Sequence, residues 1–341
     1  MKRRAILIGL GHMGAQWARV LHDSPDFETV AYVDPREDRR ESVRLALGIE
    51  RFNGFRSLAE ALGEIETDVA IIATPAFMHY DACLAALERD MPVIVEKPIE
   101  TDWGKAREIV AEAARRRLPL LVDQNYRYTA PLRTMRRVLC EGGLGLPGFA
   151  AVTHYRNRKG AGTYQQDMPD PMLLDMSTHH IDTMRYLFGR RAVSVLAHSW
   201  NPFWSDYAGD ANVDALIEFE GDLWVTYSGS NAARGISIHP FANWRIECEN
   251  GGLYLESHGY DLNLYRVPAG SPPKHRECIA FDAMPVENQA YVLQHFKECL
   301  ETGVTPEISG EDNLDTLAIA MAVIASSARG SRVCVEECFS N

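Results

Sequence analysis

Ala5-Ile6-Leu7-Ile8-Gly9-Leu10-Gly11-His12-Met13-Gly14 decides the fold of this 341-residue chain. The apolar residues read as a buried strand, and the G-x-G-x-x-G behind them opens a helix over Met13–His22. Gly9 is expected to make the tight turn, Gly11 to let backbone approach a pyrophosphate, and Gly14 to let the helix pack close on the strand. His12 and Met13 lie inside the motif and count as candidate cofactor contacts with the three glycines. A helix N-terminus there supplies N–H groups and a partial positive charge for phosphates. Asp34 stands 20 residues after Gly14, where a carboxylate binds the adenosine ribose hydroxyls. Together these point to dinucleotide binding. A carboxylate also repels a 2′-phosphate, so NAD is expected to be preferred over NADP. Arg36 and Arg39 give NADP a route, but as the first charges of a helix they read as solvated.

Outward from this motif, short apolar runs alternate with helical patterns. Ala5–Gly9, Thr29–Val33, Val69–Ala73, Val93–Val95 and Leu120–Val122 read as strands; Met13–His22, Asp38–Leu47, Met78–Arg89 and Asp102–Arg117 read as helices. Strands apolar on both faces imply a parallel sheet covered on each side, a doubly wound α/β domain over residues 1–122. After Pro131 the rhythm changes to alternating segments such as Asp214–Glu220, Trp224–Ser230, Trp244–Cys248 and Leu253–Glu256, split by Gly-containing turns. Helical stretches over Val286–Thr302 and Gly310–Arg329 close the chain. Residues 123–341 are therefore expected to form an α+β domain with a mostly antiparallel sheet.

Composition narrows the function. Apolar content of 46% and charged content of 24% are those of an ordinary globular protein. Net charge is −12, with 17 basic and 20 acidic residues up to Val122 and 18 and 27 beyond it, so no nucleic-acid partner is expected. Seven cysteines without a C-x-x-C pair fit a reducing compartment and neither zinc nor a disulfide framework. No apolar run spans a membrane, and Ala5–Ile8 is too short for a signal peptide, so a cytoplasmic protein is expected.

Two further motifs carry chemistry. Glu96-Lys97-Pro98 ends a strand at the sheet edge where open α/β folds bind ligands, and a lysine there can polarise a substrate oxygen. The chain must turn sharply at this point, and a cis Lys97–Pro98 bond is expected. In a helix expected over Pro171–Phe188, Asp175 and His179 are four apart and share a face, which Asp182 continues. A carboxylate one turn from an imidazole suits acid–base work. Spacing alone, however, fits buried structural polar groups as well.

The combination resembles the Gfo/Idh/MocA family of nicotinamide-dependent oxidoreductases, which act mostly on sugars and cyclitols. The glycine motif with Asp34, Thr74-Pro75 followed by His79, Glu96-Lys97-Pro98, and Asp175-x-x-x-His179-x-x-Asp182 carry it, with Tyr126-Arg127 in support. The resemblance runs from about residue 5 to 333. It implies a Rossmann domain followed by a domain built on a large open-faced sheet that makes homodimer or homotetramer contacts. It also implies catalytic roles for Lys97, Asp175 and His179, and cofactor contacts from Gly9, Gly11, Gly14, Asp34, Thr74, Pro75, His79, Glu96 and Lys97. Hydride transfer between a sugar or cyclitol CH–OH carbon and nicotinamide follows, with His179 or Lys97 handling the hydroxyl proton. An NAD-dependent redox-recycling glycosidase and a non-catalytic dinucleotide-binding regulator are the alternatives. Asp170-Pro171-Met172 stands in place of a frequent glycine triplet and Ser177 in place of a usual glycine, so the resemblance carries the chemistry further than the substrate. Tyr126, Arg156, Arg158 and His180 are candidate substrate contacts. For the two arginines a solvated strand end is the preferred reading, with a neutral polyol ahead of an acidic sugar.

Overall fold

A computed structural model describes residues 2–272 and 274–339. By its internal contacts the chain divides into two compact units, one of residues 1–125 and 286–314, the other of residues 126–285 and 315–341.

The first unit holds a six-stranded sheet of β1 (Arg3–Ile8), β2 (Phe27–Val33), β3 (Gly54–Phe55), β4 (Val69–Ile72), β5 (Val93–Val95) and β6 (Leu120–Val122). Their order is β3-β2-β1-β4-β5-β6 and every pairing is parallel. Order therefore reverses beside β1, placing a crevice at the strand ends there. Helices α1 (His12–Asp23), α2 (Glu37–Leu47), α3 (Leu58–Glu64), α4 (His79–Leu87) and α5 (Trp103–Arg116) connect the strands. Strands apolar on both faces need such cover, and Ile6, Leu7, Ile71, Ile72, Val93 and Ile94 are fully buried.

A single division at residue 122 misses one feature. The helix Asn288–Thr302 belongs to the first unit, where Phe296 stacks on Phe27 at 6.4 Å between ring centroids and Lys297 pairs with Asp26 at 2.7 Å. Its continuation bonds to the free edge of β6, with the Val122 N–H donating to the Ile308 carbonyl. These contacts join residues more than 180 apart, beyond any local pattern.

The second unit begins with α6 (Ala130–Cys140) and β7 (Pro147–Tyr155), followed by α7 (Thr178–Phe188) and β8 (Ala192–Trp200). Strands β9 (Asn212–Phe219), β10 (Leu223–Ser230), β11 (Asn243–Cys248), β12 (Gly251–His258), β13 (Asp261–Pro268) and β14 (Glu277–Ile279) follow. After α8, the helix Asn288–Thr302 above, come α9 (Gly310–Arg329) and β15 (Val333–Cys334). The nine-stranded sheet runs β14-β13-β12-β11-β7-β10-β9-β8-β15, antiparallel except for β7 with β10. Alternate residues such as Val213, Ile217, Val225, Tyr227 and Ile246 are buried. The opposite face leaves Phe149, Leu196 and Trp200 exposed, so the sheet is open on one side.

Candidate functional site

In the first unit, Gly9 takes φ +89°, and a Cβ there would lie 2.7 Å from the Ala73 carbonyl and the Thr74 nitrogen. A Cβ on Gly14 would lie 1.9 Å from the Gly9 carbonyl oxygen, so only glycine lets α1 start this close to β1. Gly11 caps α1 without a side-chain hydrogen bond and no acidic residue occupies the first turn, which leaves N–H groups for an anion. His12 is exposed and Met13 half-buried in that turn.

Asp34, 2% exposed, ends β2 under this loop. Its Oδ2 accepts from the Leu10 N–H at 2.8 Å and its Oδ1 from the Arg36 N–H at 2.9 Å. The Arg36 side chain turns to Asp38 at the surface. Arg39 does not: its Nη1 lies 3.4 Å from Asp34 Oδ2 and 3.8 Å from where a Gly11 Cβ would sit. The solvated reading thus holds for Arg36 and fails for Arg39.

Past β4, Thr74 and Pro75 are half-buried. His79 is fully buried, with Nε2 2.8 Å from the Thr74 carbonyl and Nδ1 3.0 Å from that of Pro98. It ties two loops together and has no surface for a cofactor, correcting its expected role. The Lys97–Pro98 bond is cis, as the sequence implied, and Lys97 is half-buried. Glu96 is buried and accepts from the Trp17 indole N–H at 2.9 Å, so it holds α1 to β5 instead of reaching a ligand.

The sequence reading missed Asp123. Val95 pairs with Val122, which sets Glu96 and Asp123 side by side at the ends of β5 and β6. Burial, then the charge of Glu96, pushes the Asp123 carboxyl well above the ordinary carboxylate range. Its place directly after an apolar strand next to the Glu96 strand was the available signal.

In the second unit, the helix expected over Pro171–Phe188 is present, but Met172–Ser177 is π-helical before α7 begins. Such turns mark functional sites, and this one carries Asp175. The Ser177 hydroxyl lies 3.1 Å from the Met172 carbonyl and 2.9 Å from the Tyr227 hydroxyl. Tyr227 in turn lies 2.9 Å from His180 Nδ1, and His180 Nε2 lies 2.8 Å from the Pro240 carbonyl. A carbonyl can only accept, so Nε2 carries the proton and Nδ1 accepts from Tyr227. His180 is fully buried in this network, which corrects its expected substrate contact to a supporting one.

His179 and Asp175, the candidate acid–base pair, are each 7% exposed. Tyr126 stacks on the His179 ring at 4.0 Å and 6°. The next residue, Arg127, makes two bonds to Asp182, at 2.7 and 2.6 Å, and Thr316 donates to the same carboxylate. Asp182 is thus an anchor for the Tyr126 segment. Arg158 Nη1 donates to Asp175 Oδ2 at 2.9 Å, so it is no solvated strand end. An imidazole held flat by a phenol ring near a charge-paired carboxylate can move a proton.

Two family models match the chain. The oxidoreductase family with an NAD-binding Rossmann fold, Gfo/Idh/MocA, covers residues 3–124, and the Gfo/Idh/MocA C-terminal domain covers residues 132–254. The chain belongs to the Gfo/Idh/MocA family. Among its relatives, inositol 2-dehydrogenase 4 of Saccharopolyspora erythraea is 31% identical over 98% of this chain and 96% of its own. D-apiose dehydrogenase of Paraburkholderia graminis is 28% identical over 97% and 89%. An Agrobacterium radiobacter oxidoreductase solved with NAD+, L-tartaric acid and magnesium superposes with a TM-score of 0.87 over 99% of both chains at 21% identity, which shows the shared fold.

This Gfo/Idh/MocA protein is thus an NAD(P)-dependent oxidoreductase with an NAD-binding Rossmann domain, and its first unit fits that cofactor. Gly11 presents bare backbone, α1 offers first-turn N–H groups, and the buried Thr74 hydroxyl has no protein partner. Asp34 Oδ1, which accepts only from the Arg36 N–H among the bonds described, keeps a lone pair for a ribose hydroxyl.

Proposed function

We propose that the protein transfers a hydride between NAD and a CH–OH carbon of a sugar, sugar derivative or cyclitol. The observation that carries this reading is the His179–Tyr126 stack beside the Arg158-paired Asp175, in a chain with an NAD-type glycine loop. Relatives named as inositol and apiose dehydrogenases support the substrate class.

Gly9, Gly11, Gly14, Asp34 and Thr74 would hold NAD, and the first-turn N–H groups of α1 would serve its phosphates. When bound, the nicotinamide supplies the acceptor or donor of the hydride. The chain's own residues move the proton. In the oxidation direction His179 takes the substrate hydroxyl proton, while the Lys97 ammonium stabilises the developing alkoxide. Asp175 stabilises the imidazolium that results, and Tyr126 keeps the ring plane from turning.

The described cysteines are all free thiols, in keeping with a reducing, cytoplasmic setting. No described helix is long and apolar enough to cross a membrane. Phe149, Leu196 and Trp200 on the open sheet face support homodimer or homotetramer formation there, which light scattering of the purified protein tests.

A panel of sugars, cyclitols and their acids, incubated with NAD and with NADP while absorbance of the reduced ring is followed, tests the main reading. Net reduction with one class of polyol is the expected result. Sugar release from a glycoside without net reduction, or NAD binding with no turnover of any compound, would overturn it.

A further inference from the structure

The segment after β7 is tied into the second unit and does not fray into solvent. The Arg156 N–H donates to the Ser230 carbonyl and the Arg158 N–H to that of Asn231, both at 2.8 Å, and the Ala233 N–H returns a bond to the Arg156 carbonyl. Residues 156 and 158 of this extended stretch point the same way, and the Arg158 bond to Asp175 shows which way that is. Arg158 is therefore spoken for. Arg156 is not: half-buried, it makes no ion pair and no side-chain hydrogen bond among the described residues. Its charge is nonetheless felt by Tyr126, His154 and His239, which places the guanidinium among the aromatic residues around His179.

Asp175 pairs with Arg158, and no described carboxylate pairs with Arg156. A guanidinium withdrawn from water without a counter-charge is costly, and its planar fork matches a carboxylate in two parallel bonds. The geometry points to a substrate that carries a carboxylate: a sugar acid or polyhydroxy acid whose acid group pairs with Arg156 while a hydroxyl is presented to His179. The hydride-transfer reading above supplies the reaction, and this inference rests on it for turnover but not for binding. Asp175 keeps Arg158 as a neutralised spacer, so one positive charge remains for the ligand.

Paired substrates test this, each aldonic or uronic acid against its neutral parent, with NAD, in the unmodified protein and in Arg156→Met and Arg156→Lys. The expected result is a higher kcat/KM for acids, with the acid-to-neutral ratio falling about 10- to 100-fold in Arg156→Met, as loss of a charge-assisted pair implies. Arg156→Lys should recover part of the ratio, which separates charge from misfolding. Thermal shift with galactonate and NAD gives a readout free of catalysis: stabilisation of the unmodified protein, lost in Arg156→Met. Should neutral polyols turn over with an unchanged ratio in Arg156→Met, the carboxylate site is wrong and the dehydrogenase stands. Should nothing turn over while the acid still binds through Arg156, the dehydrogenase reading fails and the acid site stands. No acid-specific turnover and no Arg156-dependent stabilisation by any acid of the panel would overturn the inference.

Discussion

We predict that Asp34 and Arg39 act together in cofactor choice. The carboxylate repels a 2′-phosphate, and its own bond to Arg39 occupies the cation that would welcome one. NAD should therefore be preferred in kcat/KM, and Asp34→Ser should raise NADP use by freeing Arg39. Adding Arg39→Ala to that variant should cancel the gain; equal use of both cofactors by the unmodified protein would contradict this assignment. His154 sets a pH dependence. Burial first, with the charges of Arg156 and Arg158 added to it, pushes it down to about 2, and neither ring nitrogen has a hydrogen-bond partner among the described residues. Folded protein keeps it neutral, whereas the unfolded chain protonates it near 6.5, so its contribution is lost as pH falls below that value. Stability should drop by up to about 1.4 kcal/mol per pH unit from this group. Urea titrations at neutral and at mildly acidic pH should show a smaller drop for His154→Leu; an equal drop would assign the acid sensitivity elsewhere.

The π-helical turn Met172–Ser177 carries Asp175, one of the residues proposed for proton transfer. Ser177, Tyr227 and His180 pin it with hydrogen bonds. Tyr227→Phe leaves His180 Nδ1 buried without its donor, a loss of about 1–3 kcal/mol. Urea unfolding should show that loss, and kcat should fall while NAD affinity holds, because the glycine loop lies in the other unit. An unchanged kcat would mean that the turn keeps Asp175 in place unaided. This turn was not legible beforehand. Asp175, His179 and Asp182 fit an ordinary helical stripe, and only Tyr227 and Pro240, far along the chain, show that the first turns are wound differently. Strands β5 and β6 and helix α9, by contrast, stand at the residues the apolar runs marked, since local pattern alone sets them. The helix α6 was overlooked because Pro131 at its first turn reads as a break, although proline is well tolerated there.

Across the whole molecule, the Rossmann order was legible because each βα step is local, whereas the return of residues 286–314 to β6 was not, being fixed by packing over long separations. The candidate residues divide in the same way. Gly9, Gly11, Gly14, Asp34, Asp175 and His179 remain the candidates for chemistry, while the side chains of His79, Glu96 and His180 are buried and bonded to neighbouring segments, which spacing alone does not reveal. The central claim is that Lys97 and His179 carry proton transfer for an NAD-linked oxidation. Its most direct test is the steady-state rate of ring reduction in Lys97→Ala and His179→Ala at saturating substrate, with NAD affinity measured alongside. Positioned acid–base groups contribute about 10²–10⁴-fold, so each variant should lose at least about 10²-fold in kcat with NAD binding largely intact. Near-normal turnover in both variants would contradict the account.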